Sequence, residues 1–103
     1  MLTRIVKMTF REDKLEDFRR IFEHSIDKIR SFEGCTHVEL NRDTHRKNVY
    51  FTYSKWTSEE MLNAYRNSGM FRSTWSEVKK LFAEPPEAHS LYTVHSSEEK
   101  VKV

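Results

Sequence analysis

The feature that most limits what this chain can fold into is a change of hydrophobic period, from two to about 3.6 and back again. Leu2 to Phe10 sets Leu2, Arg4, Val6, Met8 and Phe10 on one side and Ile5 on the other, which predicts a β-strand. From Lys14 to Phe32 the pattern turns helical. Leu15, Phe18, Phe22, Ile26 and Ile29 make one stripe, widened by Ile21, opposite Glu16, Asp17, Arg20, Glu23, Asp27 and Lys28. Asp13 is placed to cap this helix and Gly34 to end it. Alternation returns in 35–42, with Thr36, Val38 and Leu40 on one face and Cys35, His37 and Glu39 on the other. A polar turn at 43–47 joins it to a third strand at 48–56, forming a hairpin.

Thr57, Ser58, Glu59 and Glu60 carry helix-start chemistry, a hydroxyl and carboxylates at the positive end of the dipole. The helix they open runs to about Asn67, where Ser68 and Gly69 interrupt it. A further helix from Met70 to Phe82 buries Phe71, Trp75, Val78 and Phe82, and Pro85-Pro86 stop it. Residues 87–95 read as a fourth strand, and 96–103 as a polar C-terminal tail. The order is β-α-β-β-α-β. That predicts an α+β, ferredoxin-like domain over residues 1–95, a four-stranded antiparallel sheet with helices on one face. The third strand has no cleanly polar side, so the open sheet face calls for a partner. A homodimer packed sheet to sheet is the expected supply.

A chain of 103 residues builds one core. Eighteen Lys and Arg against 16 Asp and Glu leave a formal charge of +2, mixed along the chain, which argues against nucleic-acid binding. No window approaches the roughly 20 apolar residues a membrane helix needs, so no membrane partner is expected. Arg4 and Lys7 break the N-terminal apolar run, which does not read as a signal peptide. The lone Cys35 has no partner thiol in the chain. Together these predict a cytoplasmic protein in a reducing compartment. Two glycines cannot build a dinucleotide fingerprint or a phosphate loop, and the five histidines match no ligand spacing. Neither a cofactor nor a metal is therefore expected.

Particular segments resemble a known family. Phe32-Glu33-Gly34-Cys35 followed by Glu39-Leu40-Asn41-Arg42-Asp43 is similar to the second-strand entry of the antibiotic biosynthesis monooxygenase domain. Trp56-Thr57-Ser58-Glu59-Glu60-Met61-Leu62 resembles its third-strand exit, and Ser68-Gly69-Met70-Phe71 the kink before its last helix. The resemblance spans residues 1 to about 95. It implies a dimeric α/β barrel with a pocket in each subunit between helices and sheet. Some members are cofactor-free oxygenases of phenolic polycycles or quinols, and others degrade haem. The chain departs from the family at Tyr65 and Met70, where histidines are often found. The haem-degrading set is absent: no Asn occurs between Met1 and Phe10, and its helical positions fall on Tyr65 and Trp75.

The candidate site follows from both readings. Trp56, Tyr65 and Trp75 are placed to wall a pocket for a small aromatic or phenolic ligand, while Phe22 and Phe71 are weighted to the core. Tyr50, Thr52 and Ser54 share a strand face with Trp56, and Tyr50 and Thr52 are expected to bind substrate. His37 and His89, on the second and fourth strands, are the candidate catalytic bases. Arg4 has two roles open to it, binding an anionic substrate group or reaching an interface carboxylate, and the interface is the one expected; His45 is expected in a solvated turn and Cys35 as packing. The expected function is a cofactor-independent monooxygenase oxidising an electron-rich aromatic with O2. The alternative is a non-catalytic dimeric small-ligand-binding or stress-related module.

Overall fold

The computed structural model of the chain describes residues 1–97. Its elements run β1 (Leu2–Thr9), a 3-10 turn (Glu12–Lys14), α1 (Leu15–Arg30), β2 (Cys35–Arg42), β3 (Val49–Trp56), α2 (Glu59–Arg66), α3 (Gly69–Lys79) and β4 (Glu87–Tyr92). The strands form one antiparallel sheet in the order β2-β3-β1-β4, the ferredoxin-like arrangement. Beyond 97, the expected polar tail lies outside the described residues. No described helix is long and apolar enough to cross a membrane.

Caps explain where the helices start. Ser58 accepts from the Met61 N–H at 3.2 Å and Ser68 from the Phe71 N–H at 3.1 Å, each worth about 1 kcal/mol. Ser68 also donates to the Tyr65 carbonyl at 2.6 Å, so the expected interruption is a joint that ends α2 and opens α3. Asp13 does not cap α1. The chain first makes the 3-10 turn, which holds Asp13 inside it and leaves Lys14 at the cap position with no side-chain bond.

Register decides which side chains meet the helices. Leu2, Arg4, Val6 and Met8 sit opposite Trp56, Ser54, Thr52 and Tyr50 and share the helix-facing side with them. Thr3, Ile5 and Lys7 face the other way, beside Lys55, Tyr53 and Phe51. In β2 the register shifts between Cys35 and His37, a bulge at Thr36. Cys35 pairs with Trp56 and Val38 with Ser54, so both turn toward the helices instead of alternating as expected.

The core between sheet and helices is in two parts. One gathers Met8, Phe10, Phe18, Tyr50, Val78 and Leu81; the other gathers Leu2, Cys35, Trp56 and Leu62. Phe10 stacks on Phe18 with ring centroids 4.1 Å apart. The space between the two parts is where the candidate site lies.

The hairpin gives the chain a pH dependence. Glu39 accepts from His37 Nε2 at 2.6 Å and Asn41 Nδ2 at 2.9 Å; Asp43 accepts from the backbone N–H groups of His45 and Arg46, both at 2.9 Å. These bonds hold both carboxyls below the ordinary carboxylate range. A depressed acid contributes stability above its unfolded value, and that stability is lost as pH falls through the folded one. The urea midpoint is expected to fall below about pH 4. The fall should be smaller in a Glu39→Gln, Asp43→Asn chain, and an identical acid limb in both would contradict this origin.

Candidate functional site

A cavity of about 260 Å³ separates the two halves of the core. That is just below the roughly 300 Å³ at which drug-sized sites begin, room for one small flat molecule. Arg4, Val6, Met8, Thr52 and Ser54 of β1 and β3 form its floor. The helices close it with Phe18, Phe22 and Ile29 from α1, Leu62 and Tyr65 from α2, and Phe71, Thr74 and Trp75 from α3. Arg66, Pro86 and Ala88 also line it and are exposed, marking the mouth between the end of α2 and β4.

The wall is aromatic and continuous. Tyr65 stacks on Trp56 at 5.0 Å and meets Phe71 edge-on at 5.1 Å. Phe71 lies nearly parallel to Trp75 at 5.8 Å, and Trp75 meets the edge of Phe82 at 5.6 Å. Such contacts fix ring planes, so the wall presents set faces to a flat ligand. Burial, with a smaller effect from Cys35, pushes the Tyr65 phenol well above its ordinary value. At neutral pH it keeps its proton and can only donate it in a hydrogen bond.

The polar floor is cationic. Arg4 is half-buried, and its Nη1 donates to Ser90 Oγ at 2.8 Å. Burial, and then the charge of nearby Arg66, lower its affinity for the proton, although a guanidinium stays charged at any working pH. Among the described residues no Asp, Glu or His lines the cavity.

Of the candidate binding residues, Tyr65, Trp75 and Thr52 line the cavity. Trp56 and Tyr50 do not line the cavity. β3 passes beneath the whole helix layer, so its ends are swallowed by the two core clusters and its middle residues, Thr52 and Ser54, face the gap. Trp56 is wholly buried behind Tyr65, with Nε1 donating to Ser54 Oγ at 2.9 Å; Tyr50 packs on Phe18 at 5.3 Å. His37 and His89 stand on the opposite face of the sheet. The Thr36 bulge sets His37 opposite Lys55, bonded to Glu39, and pairing with Ile5 turns His89 away from the helices. Neither can reach a ligand in its own subunit's cavity, so neither is placed to act as the expected base there. Arg4, expected at the interface, lines the cavity, as do Phe22 and Phe71, expected in the core. Arg66 and Thr74 had no sequence signal beyond helix position.

An antiparallel sheet covered on one face by two short helices and a long one, with an aromatic cavity between the layers, defines the ferredoxin-like α+β class. Residues 1–75 match the family described as antibiotic biosynthesis monooxygenase, and the chain belongs to that family. Among solved structures, Rv0793 from Mycobacterium tuberculosis is similar with a TM-score of 0.86 at 18% identity, covering 94% of this chain and 98% of that one. PA3566 from Pseudomonas aeruginosa gives 0.81 at 20% identity, covering 91% and 94%. A structure described as an antibiotic biosynthesis monooxygenase gives 0.87 at 13% identity, covering 92% and 100%. At these identities the likeness shows the fold. No match was found among the curated proteins.

Proposed function

We propose that the chain is a monooxygenase that binds one electron-rich aromatic molecule between sheet and helices and lets it react with O2 without a resident cofactor. The observation that carries the reading is the aromatic cavity itself, walled by Tyr65, Phe71 and Trp75 in a chain of this family. For an anthrone-type substrate the balance is simple. A ring CH2 loses its two C–H bonds and becomes C=O, one oxygen atom entering the product and the other leaving as water. The substrate carbon supplies all four electrons. The protein's part is to hold the ring plane, exclude bulk water and favour the ionised, electron-rich form.

The lack of an imidazole or carboxylate among the described lining residues favours a second reading, a binding module of the same fold that performs no turnover. Oxygen uptake by the purified, metal-stripped protein separates the two. Protein-dependent uptake with quinone product from anthrone-type phenols is the expected result, and no uptake across such a panel would leave the binding module.

We further propose that a second copy covers the sheet face carrying Ile5, Phe51, Tyr53 and Leu91, and that the dimer works in a reducing cytoplasm. Leu91 is 46% exposed in the single chain, as an interface residue would be. Light scattering should give twice the chain mass.

A further inference from the structure

A cation on the core-facing side of a central strand is costly unless something neutralises it. Arg4 is such a cation: β1 lies between β3 and β4, and Arg4 points with Val6 and Met8 into the cavity. Among the described residues it has no ion pair, and its side-chain partner is the neutral hydroxyl of Ser90. Arg66, at the mouth of the same cavity, is likewise without an ion pair among the described residues. Two guanidinia thus share a largely apolar space with no carboxylate in its lining.

The residues around Arg4 complete the picture. The register places Ser54 directly opposite it on β3 and Ser90 directly opposite it on β4. One row across the sheet therefore reads hydroxyl, guanidinium, hydroxyl, while the rows on either side are mainly apolar, Leu2 with Trp56 and Val6 with Thr52 and Ala88. Ser54 Oγ accepts from the Trp56 indole, which leaves its own proton to donate. The Ser90 hydroxyl, which accepts from Arg4, likewise keeps its proton to donate, and the guanidinium has donors only.

We propose that the Ser54–Arg4–Ser90 row, with Arg66 at the mouth, is an anion-binding pole that takes a carboxylate or ionised phenol oxygen of the flat aromatic ligand. This rests on the cavity being the binding site and adds the charge of its occupant. The planar fork of Arg4 suits a carboxylate in two-point contact, and flanking hydroxyls would complete its hydrogen bonds. The ring then extends from this pole toward Phe71 and Trp75. The same positive end would hold a phenol as its anion, the form that gives electrons to oxygen most readily.

The test is binding of naphthoate and its neutral isostere naphthamide at neutral pH, read by quenching of tryptophan fluorescence and by calorimetry. Naphthoate is expected to bind at least about 10-fold more tightly. Arg4→Met should weaken naphthoate about 10- to 100-fold and move naphthamide by less than about threefold, with the denaturation midpoint unchanged or raised. Arg66→Gln, on an exposed helix end, should give a smaller loss confined to naphthoate. Equal affinity for the two ligands would overturn the pole while leaving the cavity reading intact. An equal loss of both in Arg4→Met together with a lowered midpoint would make Arg4 structural and overturn it too. Binding of neither ligand would bring down pole and cavity together. Para-nitrophenol separates the two anions: a bound form that ionises at lower pH than the free one extends the pole to phenolates, and no such shift confines it to carboxylates.

Discussion

Replacing Trp56 with alanine is expected to cost about 3–5 kcal/mol, a large share of the roughly 5–15 kcal/mol that a domain of this kind has. The indole is wholly buried, so its truncation leaves a void that the ends of β1, β2 and β3 cannot collapse to fill. It also removes the donor to Ser54 Oγ and the ring on which Tyr65 stacks at 5.0 Å. The effect therefore reaches the cavity, because Tyr65 would lose the surface that fixes its plane. Trp56→Phe keeps an aromatic face and loses only the N–H and part of the volume, so a loss of about 1–2 kcal/mol is expected. Urea midpoints of the two chains check both figures, and a Trp56→Ala chain within about 1 kcal/mol of the natural one would contradict the packing described.

Gly34→Ala is expected to cost about 3 kcal/mol or more, for two reasons that add. Gly34 has φ +91°, a left-handed conformation that an L side chain adopts only with strain. A Cβ built there would also collide with Cβ and Cγ of Met61, near the start of α2, where the side chain has no freedom to swing away. Gly34 closes the loop between α1 and β2, and its carbonyl accepts from the Thr57 N–H at 2.9 Å. Displacing it would disturb the path of β2 and the seating of α2 together. Gly69 is the control: a Cβ there meets nothing within 4 Å, so Gly69→Ala should be close to neutral or mildly stabilising. If the two alanine substitutions destabilise equally, the close approach at Gly34 is not what holds that corner.

The fold was legible because its signals are local. The stripe from Leu15 to Ile29, Ser58 ahead of Glu59 and Glu60, and the double proline before the last strand each act within one element. The site was less legible because it depends on which face of a strand meets the helices. Arg4 shares its alternation with Leu2, Val6 and Met8, all of which turn inward, so its place in the cavity was present in the pattern. A preference for charge at interfaces outweighed it. Cys35 is different: the Thr36 bulge carries no glycine or proline to announce it, and only cross-strand pairing with Trp56 reveals that Cys35 shares the helix-facing side with Val38, while His37 keeps to the face opposite Val38 and Leu40. The aromatics show a third limit. Tyr50 and Trp56 on the helix-facing side of β3, and Phe22 and Phe71 on α1 and α3, are all large inward rings, and only the gap between two core clusters separates wall from filling.

Oxygen consumption with an anthrone-type phenol, compared between the natural chain and a Thr74→Trp chain, tests most directly whether this cavity is where the chemistry occurs. Thr74 lines the cavity from α3, and an indole there would occupy the space of a flat ligand while leaving both core clusters in place. The expected result is protein-dependent uptake by the natural chain and its loss in the folded Thr74→Trp chain. Uptake that survives with the cavity filled would place the reaction elsewhere and contradict the account.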